Sequence, residues 1–317
     1  MYLRLSITDR CGFRCPYCQP DAPGSFIPGA SFLTPSEIHR VVSVLAELGT
    51  SHVRFTGGEP LARRDCLQIV GAVSDVPGIR DVAITTNGQG LAARTGALRR
   101  AGLSRVNVHI DSLRADRYRR LTHGGSLSGA LDGVEAALAD NLRPVKINMV
   151  LMKGINDDEV AEFCRFGVEW GVTVRFIELM NTGPAPDFVR RHFLSAAAAR
   201  AQVAKDHVLT PRFEYRGASP AREYDLDHGA GTVGFIASET EPFCASCNRI
   251  RVTCDGRLKV CLYEAGGLDL GALVRDPSVS DEQLRQRVAG VLGGKRSHHP
   301  ANGQTGDVPF AMAQVGG

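Results

Sequence analysis

The sequence predicts an α/β protein built as an incomplete (βα)6 barrel, followed by a C-terminal region that also contains β-strands. Three observations lead to this prediction. Strand-like and helix-like runs alternate along the first half of the chain, polar residues recur on one face of the strands, and the alternation ends at a turn-rich stretch. We expect two domains, residues 1–181 and residues 182–317.

Six strand-like runs set the rhythm of the N-terminal region. Each run is short, is rich in β-branched residues, and is followed by a run with helical periodicity. Successive βα units imply a parallel sheet, because the right-handed crossover brings every strand back in the same direction. The predicted strands are residues 2–8, 52–56, 81–86, 105–111, 145–151 and 173–180.

The start of the first helix and the end of the barrel both carry local signals. Thr34 and Glu37 form a capping box around Pro35, and apolar residues then recur at helical spacing. The stretch from Asn181 to Pro186 is rich in turn residues and suits a domain boundary. Beyond it we predict strands at residues 208–213, 222–226, 232–237, 249–254 and 257–262, the last two joined by an Asp255-Gly256 turn, and a helix at 279–292.

One face of the predicted strands is polar. In a barrel filled only by side chains the interior is apolar, and buried charges are costly without partners. If these faces point inward, the barrel therefore encloses a ligand. The alternative is that the strands are edge-like and that their polar faces lie in solvent. The polar residues are Arg4, Ser6, Thr8, Arg54, Thr56, Thr85, Asn107, His109, Asp111, Lys146, Asn148 and Arg175.

The composition argues against several classes of protein. The net charge of +3 is small for a nucleic-acid binder and fits a compact anionic ligand better. No apolar run is long enough to span a membrane, and the N-terminus lacks the layout of a secretory signal, so we expect a cytoplasmic protein. Nine cysteines in that compartment indicate metal binding rather than disulfides.

The first cysteine triplet has the spacing C-x3-C-x2-C and lies in the loop after the first strand, where a βα barrel places its chemistry. Structural zinc needs four ligands, and no cysteine or histidine follows before His39. Three thiolates on a four-iron cluster leave one iron open for a substrate or cofactor. The alternative is a zinc site completed from elsewhere in the chain. The triplet is Cys11, Cys15 and Cys18.

The second triplet lies across the predicted hairpin, which would bring its members together. It again offers three ligands, and Cys254 is the residue that would complete a zinc site in the alternative interpretation. Arg249 and Arg251 alternate on one strand face beside it, so both guanidinium groups can reach one phosphate. The triplet is Cys244, Cys247 and Cys261.

Two motifs together resemble the radical S-adenosylmethionine superfamily. The loop CGFRCPYC, from Cys11 to Cys18, resembles its cluster signature, and Gly57 to Pro60, GGEP, resembles its methionine-amine motif. The resemblance implies a 4Fe-4S cluster whose open iron binds S-adenosylmethionine. Reduction of such a cluster cleaves the cofactor to a 5'-deoxyadenosyl radical.

Over nearly its whole length the chain resembles the GTP 3',8-cyclase family, also called molybdenum cofactor biosynthesis protein A. The segments that carry this resemblance are residues 3–11, 54–61, 85–88, 175–178, the second triplet with its arginines, and the terminal Gly-Gly. The family fold is a partial TIM barrel closed by a C-terminal domain with a second 4Fe-4S cluster. The implied reaction removes hydrogen from ribose C3' of GTP and joins C3' to C8, giving (8S)-3',8-cyclo-7,8-dihydro-GTP, the first step of molybdenum cofactor biosynthesis.

The resemblance assigns roles to individual residues. Catalytic roles fall to Cys11, Cys15, Cys18, Arg249, Arg251, Gly316 and Gly317. S-adenosylmethionine contacts fall to Tyr17, Gly57, Gly58, Glu59, His109 and Met180. GTP contacts fall to Arg4, Arg54, Thr85, Lys146, Arg175, Arg249 and Arg251. The cluster ligands are Cys11, Cys15, Cys18, Cys244, Cys247 and Cys261.

Some positions depart from the family or have a simpler explanation. His109 stands where the family commonly has a small serine, and His52 stands where it often has lysine. Arg175 has the alternative of a structural ion pair with Glu178 or Asp111.

The family also implies partners: GTP, an electron donor such as flavodoxin or ferredoxin, and the next pathway enzyme, cyclic pyranopterin monophosphate synthase. It is compatible with a homodimer, and we expect neither nucleic acid nor membrane as a partner. Two rival functions stay open. One is a peptide-modifying radical enzyme with two clusters, and the other is a zinc-stabilised nucleic-acid module.

Overall fold

The computed structural model contains one twelve-stranded sheet within the part of the chain that it describes. Among the described residues, no helix combines the length and apolar character needed to cross a bilayer. The described residues are 1–19, 26–181, 185–212, 219–264, 266–295 and 312–315.

All six strands predicted for the N-terminal half are present, and they lie side by side in chain order. Each pairs in parallel with the next, as crossover helices require. The strands are β1 (Tyr2–Ser6), β2 (His52–Thr56), β3 (Asp81–Thr86), β4 (Arg105–His109), β5 (Lys146–Leu151) and β6 (Thr173–Glu178). The helices between them are α1 (Pro35–Glu47), α2 (Cys66–Ser74), α3 (Thr95–Arg100), α4 (Ala115–Thr122), α5 (Leu127–Ala139) and α6 (Val160–Trp170).

The C-terminal region extends the sheet at both edges. Strand β9 adds to β6 in parallel, and strand β10 adds to β1 in parallel. The remaining strands pair in antiparallel fashion outside these two. The strands are β7 (Leu209–Pro211), β8 (Arg222–Leu226), β9 (Gly231–Ile236), β10 (Arg249–Val252), β11 (Arg257–Lys259) and β12 (Leu268–Asp269). The helices are α7 (Pro186–His192), α8 (Ala196–Val203), α9 (Leu270–Arg275), α10 (Asp281–Leu292) and α11 (Met312–Val315).

Local sequence signals explain where elements begin and turn. The predicted capping box of α1 is confirmed, because Glu37 N donates to Thr34 Oγ1 at 3.3 Å and Thr34 N donates to Glu37 Oε2 at 2.7 Å. The hairpin between β10 and β11 differs from the predicted two-residue turn. Thr253 N donates to Arg257 O at 3.0 Å, which leaves a three-residue loop. Gly256 has φ +94°, the left-handed conformation that such a loop needs.

Alternation along the strands separates an apolar face from a polar one. Leu3, Leu5 and Phe55 are fully buried and belong to the hydrophobic core. The residues between them, such as Arg4 and Arg54, point to the opposite face, because successive side chains alternate across a strand. The sheet thus has an apolar side and a polar side, as the sequence predicts.

Candidate active site

The polar side of the sheet lines a cavity of about 1060 Å³. Most predicted substrate residues and the whole second cysteine triplet lie in its wall, together with His52. The wall does not include Thr85 or the first cysteine triplet. Of the residues predicted to contact S-adenosylmethionine, only Met180 lies in it. The predicted site residues in the wall are Arg4, Arg54, Lys146, Arg175, Met180, Cys244, Cys247, Arg249, Arg251 and Cys261.

Guanidinium groups form a row across this wall. Arg251, Arg4 and Arg54 occupy directly opposite positions on β10, β1 and β2. Burial lowers the pKa of Arg4 well below its usual range, and its neighbours Arg251 and Arg54 lower it further. Burial also lowers the pKa of Arg54 and of Arg251 to about 10. An anion in the cavity would offset this repulsion and form charge-assisted hydrogen bonds.

A carboxylate that the sequence analysis missed joins two of the predicted substrate residues. Glu223 Oε1 accepts hydrogen bonds from Lys146 Nζ at 3.2 Å and from Arg175 Nη2 at 2.8 Å. Burial and the nearby Arg175 lower the pKa of Lys146 to about 8. Burial acts to raise the pKa of Glu223, but the two cations outweigh it and the pKa is lowered. Arg175 therefore pairs with Glu223, rather than with Glu178 or Asp111.

Several buried polar atoms on this side of the sheet have no hydrogen-bond partner among the described residues. They include Nε of Arg54, Nε of Arg175 and Oδ1 of Asn148. Oγ1 of Thr85 shares this property, although Thr85 lies outside the cavity wall. Buried polar groups are costly when unsatisfied, so these atoms indicate a polar ligand.

The first cysteine loop is held in place by the glycine motif that follows β2. Gly58 N donates to Thr8 O at 2.8 Å, and Glu59 N donates to Arg10 O at 2.7 Å. A Cβ at Gly57 would lie 2.1 Å from Thr8 O, and φ there is +136°, so only glycine fits. The motif thus fixes the chain immediately before the first cysteine.

The carboxylate of Glu59 is buried and engaged by protein donors. Its Oε1 accepts from Leu61 N at 2.9 Å and from Thr86 Oγ1 at 2.8 Å. Its Oε2 accepts from Asn87 N at 2.7 Å. The side chain therefore ties the loop after β2 to the end of β3.

The three cysteines of the first loop lie close enough to influence one another. Burial raises the pKa of Cys15 well above its usual range, and Asp111, Cys18 and Cys11 raise it further. Cys18 N donates to Cys15 O at 3.0 Å, and Phe13 N donates to Cys11 Sγ at 3.3 Å. A thiol in this environment gives up its proton when a positively charged metal binds it.

Tyr17, His109 and Asp111 form a hydrogen-bonded group beside this loop. Tyr17 Oη donates to Asp111 Oδ2 at 2.6 Å and lies 2.7 Å from His109 Nε2. The same histidine nitrogen lies 2.9 Å from Asp111 Oδ2. Burial acts to lower the pKa of His109, but Asp111 outweighs burial and the pKa is raised. His109, which stands where the family commonly has serine, therefore contacts Tyr17 of the first cysteine loop.

The three cysteines of the second triplet lie close enough to influence one another, and Cys254 is not among the thiols that affect the pKa of Cys244. Burial raises the pKa of Cys244, and the neighbouring thiols of Cys261 and Cys247 raise it further. Cys254 lies outside the cavity wall. Burial raises the pKa of Cys254 to about 12, and Asp9 is its main charged neighbour.

Two further residues beside the second triplet were missed by the sequence analysis. Lys295 Nζ donates to the carbonyl of Arg249 and, at 2.8 Å, to that of Val260. The guanidinium of Arg249 lies 4.5 Å from the ring centroid of Phe243. Burial acts to raise the pKa of Cys247, but Arg249 and Lys295 lower it overall.

Comparison with known proteins assigns the chain to a family. The Radical SAM superfamily profile matches residues 5–167, and the Molybdenum Cofactor Synthesis C profile matches residues 172–301. The GTP 3',8-cyclase of Pelotomaculum thermopropionicum is 41% identical over 317 residues, covering 100% of this chain and 97% of that protein. That of Alkaliphilus metalliredigens is 43% identical over 275 residues, covering 87% and 85%. The chain belongs to the GTP 3',8-cyclase family.

Two solved structures share the fold of this GTP 3',8-cyclase family member. Streptococcus suis SuiB bound to S-adenosylmethionine superposes with a TM-score of 0.61 at 13% identity, covering 96% of this chain and 67% of SuiB. SuiB bound to the precursor peptide SuiA gives 0.62 at 14% identity, covering 96% and 68%. Identities this low support only the fold, and they confirm the predicted α/β class.

The cofactors of the cyclase family are two 4Fe-4S clusters and S-adenosylmethionine. Among the described residues, no group of three or more Cys, His, Asp or Glu side chains converges closely enough to hold a single ion. Each triplet offers three thiols, the number that leaves one iron of a four-iron cluster open.

The C-terminal tail of this cyclase family member is described only in part. Met312, at the start of α11, lines the cavity. The predicted catalytic residues Gly316 and Gly317 lie outside the described residues.

Proposed function

We propose that this chain converts GTP to (8S)-3',8-cyclo-7,8-dihydro-GTP, the first step of molybdenum cofactor biosynthesis. The observation that carries the proposal is a single cavity in which nine arginine and lysine side chains of the described residues, six of them predicted GTP contacts, lie with three cysteines. A nucleoside triphosphate suits this wall, because its phosphates complement the cations. The full-length relatives named GTP 3',8-cyclase support the choice of guanine.

The cationic wall is the proposed binding site of the triphosphate. Guanidinium groups bind phosphate oxygens in fork geometry, and the unsatisfied Nε atoms of Arg54 and Arg175 fit this role. Without substrate, Glu223 holds Lys146 and Arg175 in position. The proposed GTP contacts are Arg4, Arg54, Thr85, Lys146, Arg175, Arg249 and Arg251.

The first cysteine loop is the proposed site of the catalytic cluster and S-adenosylmethionine. When bound, these groups supply the radical that removes a hydrogen atom from the ribose. Gly57 and Gly58 shape the loop by their close approach to the chain before it, and Glu59 braces it through its carboxylate. The remaining proposed cofactor contacts are Tyr17, His109 and Met180, and the proposed ligands are Cys11, Cys15 and Cys18.

The second triplet, Cys244, Cys247 and Cys261, is the proposed holder of a second cluster beside the guanine. Cys254, the fourth candidate ligand, does not line the cavity that contains the triplet and takes no part in the proposed site. Arg249 and Arg251 lie on β10 and line the same cavity as the triplet, so they are suited to orient the nucleotide between the two clusters. The roles of Gly316 and Gly317 stay predictions.

The architecture that we propose is an incomplete (βα)6 barrel, residues 1–181, with a C-terminal domain, residues 182–317, closing its open side. Two features support it. Residues from strands far apart in the sheet, such as Arg251 and Arg175, line one cavity, which favours a sheet curved around it. The C-terminal strands β10 and β9 also pair with both edges of the six-stranded unit.

The proposed partners follow from this function. A one-electron donor such as flavodoxin or ferredoxin has to reduce the first cluster, and cyclic pyranopterin monophosphate synthase would take the product. The homodimer and the cytoplasmic location stay predictions.

The proposed function is tested by anaerobic incubation of the reconstituted, reduced protein with S-adenosylmethionine, with and without GTP. We expect 5'-deoxyadenosine and a cyclised isomer of GTP to form together only when GTP is present. Formation of deoxyadenosine without consumption of GTP would overturn the assignment of GTP as the substrate and favour a peptide-modifying enzyme. Absence of both iron and cleavage would favour a zinc-stabilised module.

A further inference from the structure

Three exposed arginines lie in the first cysteine loop or in the last turn of the helix that contacts it: Arg14, Arg119 and Arg120. Arg14 belongs to the loop itself, between Cys11 and Cys15. The other two occupy the last turn of α4, the helix that follows β4.

The loop and the end of α4 are joined directly. Arg14 N donates to the carbonyl of Thr122, the last residue of α4, at 3.2 Å. The rings of Phe13 and Tyr118 pack edge to face with centroids 6.1 Å apart. Thr122 Oγ1 also accepts from Gly125 N at 2.9 Å. The arginines of α4 therefore keep a fixed position relative to the cysteines.

Within the described part of the chain these arginines have no counterion, unlike others at the start of the same helix. No ion pair or side-chain hydrogen bond joins Arg14, Arg119 or Arg120 to any residue that the structure describes. Asp116, one turn earlier in α4, pairs with neither arginine of the last turn. By contrast, Arg117 lies 2.5 Å from Asp158 Oδ1. The positive charge beside the cysteine loop is therefore available to a partner.

We propose that this arginine cluster is the docking surface for an acidic protein that carries a single transferable electron. The proposal rests on the proposed function, in which the cluster at Cys11, Cys15 and Cys18 must be reduced. Exposed charges of one sign steer a partner of opposite charge and fix its orientation. The carrier is oxidised by one electron, the cluster is reduced by one electron, and no bond to this chain forms or breaks.

The test compares two double variants with the same change in charge, and it leaves Arg14 unchanged because that residue lies in the proposed cluster loop. One is Arg119→Glu/Arg120→Glu, and the control is Arg165→Glu/Arg287→Glu, whose arginines are also exposed but lie on α6 and α10. Binding of flavodoxin, an acidic carrier, is measured by titration at low and at high salt. We expect the Kd to rise by about tenfold or more in the first variant only, and the difference to shrink at high salt.

A second readout separates this proposal from the proposed function. Turnover driven by dithionite, a small reductant, should be the same in both variants, whereas turnover driven by reduced flavodoxin should fall only in the first. Equal flavodoxin affinity and turnover in the two variants would overturn the docking surface and leave the function intact. Failure of dithionite to support GTP-dependent turnover in the unaltered protein would instead overturn the proposed function.

Discussion

Arg4 on β1 lies directly opposite Arg251 on β10, so two guanidinium groups line one cavity from neighbouring strands. Adjacent strands are only about 4.8 Å apart, and like charges at that separation repel. Burial and this repulsion lower the pKa of Arg4. An anion in the cavity would offset this repulsion, and a triphosphate carries the required charge.

Removing both arginines of β10 is expected to abolish substrate binding. In Arg249→Ala/Arg251→Ala the Kd for GTP should rise by about a hundredfold or more, because charge-assisted contacts to phosphate are lost. Binding of S-adenosylmethionine should persist, since its proposed site is the other loop. Titration calorimetry measures the affinity, and Arg222→Ala/Arg257→Ala, at exposed positions, is the control. Retained GTP affinity in the first variant would count against the site.

GTP affinity is expected to fall as the pH rises through about 8. Because burial lowers the pKa of Lys146 to about 8, its side chain is mostly charged at neutral pH. It loses that charge as the pH rises above the pKa. We expect a decrease of about tenfold between pH 7.5 and pH 9.5, because the neutral amine no longer attracts phosphate. Lys146→Arg should flatten the profile, since arginine stays charged. A flat profile in the unaltered protein would remove Lys146 from the phosphate site.

Iron content distinguishes the proposed ligand Cys247 from Cys254, which is not a proposed ligand. Cys247→Ser should lose roughly half of the bound iron, because one of two equal clusters is no longer held. Cys254→Ser should keep all of it, because Cys254 lies outside the cavity wall. Colorimetric iron analysis and absorption spectra after anaerobic reconstitution give the comparison. Zinc in place of iron at the second triplet would contradict the assignment.

Gly57 is expected to tolerate no side chain. A Cβ there would lie 2.1 Å from Thr8 O at φ +136°, so Gly57→Ala should reduce the free energy of unfolding by about 2 kcal/mol or more. A Cβ added at Gly71, inside α2, would have no neighbouring atom within 4 Å, so Gly71→Ala should leave stability equal or slightly higher. Denaturant titration measures both. Equal stability of the two variants would show that the loop adapts.

Local pattern was sufficient to predict the main elements of the fold. Strands β1 to β6 were found because each is a short apolar run followed by a helical one, and α1 was found from its capping box. The polar wall was found because Arg4, Arg54 and Arg175 occupy alternate positions in otherwise apolar strands. Each of these signals lies within one short segment, so it can be recognised without knowing which distant residues it contacts.

Contacts between distant segments were not predictable in the same way. Glu223 stands 77 residues from Lys146 in the chain, and Lys295 stands 46 from Arg249, so no local pattern links them. The one local signal for Glu223 was an acidic residue within the predicted strand 222–226. The hairpin loop was predicted one residue too short, because an Asp-Gly pair favours a two-residue turn. In the structure Thr253 pairs with Arg257, which leaves three residues in the loop.

The central claim is that the radical formed at the first loop acts on the ribose of GTP in the cavity. The most direct measurement uses GTP deuterated at C3' and analyses the 5'-deoxyadenosine by mass spectrometry. Our account predicts one deuterium in the deoxyadenosine and its loss from the cyclised product. Unlabelled deoxyadenosine formed during GTP consumption would contradict it.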